Sequence, residues 1–130
     1  MIKKFYEFYE LTADAMRAVE DLEQLSKSHL VDLIDIGFEI EVTKLNGADD
    51  SIFVHINKDG WFIGFGAKDQ LLENCLLPFL ELLRTKYDDV KFYFLEYKHC
   101  RSLEEVDIDF ILTGEADFNM SDIYIRCKIL

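Results

Sequence analysis

Residues 36–45 alternate apolar and polar side chains with a period of two. Ile36, Phe38, Ile40 and Val42 fall on one side of the chain, and Glu39, Glu41 and Thr43 on the other. That pattern is a half-buried strand. It requires a sheet with one dry face and one wet face, and something apolar to cover the dry one.

Two helical patterns supply the cover. Thr12 is a capping residue with Asp14 in the following turn, and Ala15, Met16, Val19, Leu22 and Leu25 then recur at helical spacing to about Ser28. The second pattern runs from Lys68 or Asp69 to Lys86. Leu71, Leu72, Cys75, Leu76, Phe79, Leu80, Leu82 and Leu83 form a wide apolar face there. Pro78 lies inside it, removes a backbone donor, and is expected to kink or split the helix.

The remaining segments read as strands. Asn46-Gly47 is a turn signal, followed by a strand at Ile52–Ile56. Asn57-Lys58-Asp59-Gly60 turns the chain into a third strand at Trp61–Phe65. Residues 90–97 read as a strand apolar on both faces. Val106–Thr113 is expected to alternate Val106, Ile108 and Phe110 inward with Asp107 and Asp109 outward. Ser121–Ile129 alternates Ile123, Ile125, Cys127 and Ile129 inward with Asp122, Tyr124, Arg126 and Lys128 outward. Residues 2–11 are compatible with a strand or with the start of a helix.

The expected order is α-β-β-β-α-β-β-β, a repeated helix–three-strand arrangement without matching residues between the halves. Hairpin-length connections imply antiparallel pairing. The fold class is α+β, two helices packed on a largely antiparallel sheet of about six strands. At 130 residues, half of them apolar, residues 1–130 form a single domain that needs no disulfide or metal to hold its core.

The formal net charge of −12 narrows the partners. It opposes binding to nucleic acid, whose phosphates need Lys and Arg, and binding to an anionic membrane surface. It favours a basic protein partner. No segment reaches the ~18 apolar residues of a membrane-spanning helix, and Glu7 and Glu10 interrupt any signal-peptide core. Three widely spaced cysteines, Cys75, Cys100 and Cys127, suit reduced thiols, so a cytoplasmic location is expected.

Signatures of chemistry are sparse. The Gly64-Phe65-Gly66 run lacks the third glycine of a dinucleotide loop, and no calcium loop occurs. His99-Cys100 are chain neighbours whose side chains diverge, and zinc-ligand spacings are missing. His29 and His55 stand alone. An enzyme built on His99 and Cys100 is the weakest of the readings, and neither cofactor nor metal is expected. The acidic segment Ser102–Ile125 is more informative: it holds seven carboxylates and no Lys or Arg. With one sheet face covered by helices, the other is expected to present Glu39, Glu41, Asp107, Asp109, Asp122 and Tyr124, with Glu104 and Glu105 from an adjoining loop. Trp61, Phe62, Tyr93 and Tyr97 are candidates for an aromatic patch beside them, although core filling is the commoner role for strand aromatics.

In size, acidity and element order the chain resembles the immunity proteins of bacterial toxin systems, including contact-dependent growth inhibition. The residues behind the resemblance are Glu104-Glu105-Val106-Asp107-Ile108-Asp109 and the acidic helix face. It implies tight binding to a toxin domain, often a basic nuclease, with carboxylates mimicking nucleic-acid phosphates. It implies no catalytic residues. The alternative is a small regulatory or ligand-binding module acting as a homodimer through a sheet edge; as an inhibitor the chain would be a monomer or a weak homodimer.

Overall fold

The computed structural model describes residues 13–44, 51–58, 63–65, 70–87, 89–95, 103–114, 118–120 and 122–128. The chain begins with α1 (Ala13–His29) and a short α2 (Val31–Asp35), followed by β1 (Glu39–Lys44), β2 (Ser51–Asn57) and β3 (Ile63–Phe65). Then come α3 (Gln70–Lys86), β4 (Val90–Leu95), β5 (Glu104–Val106), α4 (Ile108–Leu112), β6 (Phe118–Met120) and β7 (Asp122–Lys128). The class is α+β, as the two periodicities require.

Five strands form one antiparallel sheet in the order β1-β2-β7-β4-β5. The last of the described strands, β7, is therefore the middle one of these five. Its inward residues Ile123, Ile125 and Cys127 are fully buried. So are Ile52, Val54 and Ile56 of β2 and Phe92 of β4, with Phe94 nearly so. Against this face pack Leu22 of α1, Leu30 and Leu33 around α2, Ile111 of α4, and Leu72, Leu76, Phe79, Leu80 and Leu83 of α3. The α3 residues keep the three- and four-residue spacing of a helix stripe.

Several expectations need correction. The Trp61–Phe65 strand does not continue the main sheet: residues 63–65 pair with β6 in a separate two-stranded sheet. This removes the repeated helix–three-strand order. Pro78 does not split α3, which runs as one helix through it with Pro78 on the exposed side. Met16 is 52% exposed, so the buried stripe of α1 runs through Ala18, Val19, Leu22 and Leu25. Thr12, residues 2–11, Trp61, Phe62, Tyr97 and His99-Cys100 lie outside the described residues.

Ile36 is not an inward strand residue; it is 45% exposed. The reason is Gly37, whose φ of 103° lies in the left-handed region open to glycine. Ile36 caps α2, the Gly37 N–H donates to Ile34 O, and the Phe38 N–H donates to Leu33 O. This is a Schellman closure, completed by buried Phe38 and Leu33. The alternation is valid only from Phe38 onward.

The largest correction falls on Val106–Thr113. Residues 104–106 form β5, and the chain then coils into α4. Asp107 is the N-cap, its Oδ1 accepting from the Asp109 N–H at 3.0 Å. Thr113 is the C-cap, and Gly114 follows with φ +79°. Ile108, Ile111 and Leu112 turn to the core, and Phe110 is 43% exposed. Among the described residues, no helix is long and apolar enough to cross a membrane.

Candidate functional site

The sheet face turned away from the helices carries the polar half of each alternation. Register places Glu41 opposite His55, His55 opposite Tyr124, Tyr124 opposite Tyr93, and Tyr93 opposite Glu105. These five residues form one row across all five strands. At the usual strand spacing the row is roughly 19 Å long. Both ends are exposed carboxylates, and the aromatic middle is half-buried. A second row, Glu39, Asn57, Asp122 and Leu95, lies beside it.

A polar network ties the rows together. His55 donates from Nε2 to Oδ1 of Asp122 at 2.7 Å, and each side chain is 21% exposed. The Asn57 carboxamide lies 3.5 Å from the same nitrogen. The His55 and Tyr124 rings stack at 4.3 Å between centroids with an interplanar angle of 4°. Burial, then the charges on Asp122 and Glu41, push the Tyr124 phenol above its ordinary pKa. Tyr124 is thus a neutral hydrogen-bonding group at neutral pH, on a platform braced from two strands.

On the other side of the aromatic row the sign changes. Thr43, Phe53, Arg126 and Lys91 form the next row. Arg126 donates from Nη2 to Oδ2 of Asp89 at 3.1 Å. Lys128 follows on β7 and is exposed. Carboxylates therefore dominate one end of the face and cations the other.

The expected site residues divide accordingly. Glu39, Glu41, Glu105, Asp122 and Tyr124 do share this face. Glu104 does not, because its register with inward-facing Phe94 sends it to the opposite side of the edge strand. Asp107 and Asp109 are not on a strand at all. Asp107 caps α4, and Asp109 accepts from Arg84 Nη1 at 2.6 Å. The acidic segment lacks cations of its own, but Arg84 of α3 comes to it through the fold.

Nothing in the local sequence pattern marks His55, Asn57, Lys91 and Arg126 as members of one site; the register brings them together. For His55 the pattern gives only its outward position, between buried Val54 and Ile56. Of the proposed aromatics, Tyr93 lies in the row.

Comparison with protein-family models, with curated proteins and with solved structures finds no match. Among the described residues no group of three or more His, Cys, Asp or Glu could hold a metal ion. Cys127 is buried, and that burial pushes its thiol up to about 12, so it stays protonated and unreactive in the folded chain.

Proposed function

We propose that the chain is a protein-binding inhibitor of the immunity type, taking a basic partner such as a toxin nuclease domain on its exposed sheet face. The observation that carries this reading is the row Glu41–His55–Tyr124–Tyr93–Glu105. Flat aromatic side chains at the middle of a surface offer large contact area with little rotamer entropy to lose. Carboxylates at the rim, on a chain of net charge −12, draw in a cationic partner and raise its on-rate. The His55–Asp122 pair and the His55–Tyr124 stack hold the platform rigid before binding.

Hexa-arginine serves as a cationic probe. Glu41→Lys with Glu105→Lys removes both rim charges of the row. Glu20→Lys with Asp21→Lys makes the same net charge change on exposed positions of α1. Loss of about tenfold or more in affinity for the sheet variant, against a much smaller loss for the helix variant, supports the reading. Equal losses mean that bulk charge alone attracts the probe, and the reading fails.

A further inference from the structure

We infer that the sheet face has a fixed polarity, and that its partner presents cations to the Glu39–Asp122 end together with a carboxylate to the Lys91–Arg126 end. This inference rests on the sheet-face reading above and adds the chemistry and orientation of what binds there. Lys91 and Arg126 are direct cross-strand partners, and both are half-buried. Like charges facing each other across a ladder repel. Among the described residues Asp89 is the carboxylate that meets this pair, and it does so through Arg126 Nη2 alone. Arg126 Nε is buried without a hydrogen-bond partner and out of reach of a docking ligand, so the cation that faces a partner carboxylate most openly is Lys91. The Lys91 ammonium therefore faces a second cation across the ladder, and Lys128 adds a further positive charge on β7.

At the opposite end Glu39 and Glu41 of β1 and Asp122 of β7 gather on either side of β2, and His55 hydrogen-bonds to Asp122. Asp122 and Arg126 are four residues apart on β7, roughly 13 Å along an extended strand. A partner segment with arginines and a glutamate at that separation satisfies both ends at once. A purely cationic segment satisfies one end and brings like charge to the other. Between two segments that reach both ends, the face therefore prefers the one of mixed charge to the uniformly basic one, which still binds through the acidic end.

The test uses two extended peptides, each with a pair of arginines followed four residues on by glutamate in one and glutamine in the other. Affinity is read by titration against the whole protein, with backbone amide shifts reporting the location. Net charge alone favours the glutamine peptide. The inference predicts the reverse, with the glutamate peptide about fivefold tighter, the scale of one solvated ion pair. Lys91→Met, which retains the stem of the side chain, should erase that preference. The inference is overturned if the glutamine peptide binds as well or better, or if the preference survives Lys91→Met. If the shifts of both peptides still centre on Tyr124 and Tyr93 in that case, the sheet-face reading survives without the polarity. If neither peptide perturbs those strands, both fall together.

Discussion

His55 Nε2 lies 2.7 Å from Asp122 Oδ1, joining β2 to β7 on the sheet face while the imidazole stacks on Tyr124. These residues are 67 positions apart in sequence. Their meeting depends on β7 entering the centre of the sheet. His55→Ala removes the hydrogen bond and the stack together, and should cost about 1–2 kcal/mol in denaturant unfolding. Tyr124→Phe keeps the stack and should cost much less. Equal costs would mean that the phenol, and not the stack, holds the platform.

Asp107 and Asp109 predict a contrast. Asp107→Ala deletes the N-cap of α4 and should destabilise by ~1 kcal/mol, while Asp107→Asn, which retains an acceptor, should cost only a few tenths. Asp109→Asn breaks a pair with Arg84 in which the two side chains are 70% and 44% exposed, so it should cost at most a few tenths. A larger loss at Asp109 than at Asp107 would contradict the capped helix.

Around these two residues the sequence carries two overlapping signals. Val106, Ile108 and Phe110 alternate as a strand does, yet Ile108, Ile111 and Leu112 recur as a helix face does. Over so few residues periodicity cannot separate the two. The boundary residues decide, with Asp107 before the segment and Gly114 after it, where φ is +79°. Gly37 ends the strand pattern of β1 by the same means. The long elements were legible because Leu72, Leu76, Phe79, Leu80 and Leu83 repeat over several turns. The face was only partly legible. Alternation identified Glu39, Glu41, Asp122 and Tyr124 as outward, but it could not reveal that Glu105 sits opposite Tyr93 or that Arg84 reaches Asp109. Those depend on strand order, which local pattern does not encode.

Gly114→Ala should destabilise by about 1 kcal/mol or more, because a side chain at positive φ is strained. Its Cβ would also lie 3.1 Å from Glu73 Oε1. Adding Glu73→Ala relieves the crowding but not the strain, so the double variant should recover only part of the loss. Full recovery would contradict the left-handed conformation.

Stability should fall at alkaline pH. The Cys127 thiol ordinarily ionises near 9.0, and burial pushes it up to about 12 in the folded chain. Above about 9 the unfolded chain has released this proton and the folded chain has not, so rising pH favours unfolding until about 12. Below 9 the group contributes no slope. Unfolding free energy should drop by about 1–2 kcal/mol between about pH 8 and about pH 10.5, and Cys127→Ala should flatten that drop. Tyr87 and Tyr124, both raised chiefly by burial, add the same sign at higher pH. A drop of unchanged size in Cys127→Ala would move the cause elsewhere.

The central claim is that the sheet face, and no other acidic surface, receives a cationic partner. Its most direct test is the amide shift map of the isotope-labelled protein titrated with hexa-arginine at moderate salt. The largest changes should fall on Glu41, His55, Asp122, Tyr124, Tyr93 and Glu105, and they should weaken together as salt rises. Changes centred on the exposed acids of α1, or spread evenly over every acidic segment, would contradict it.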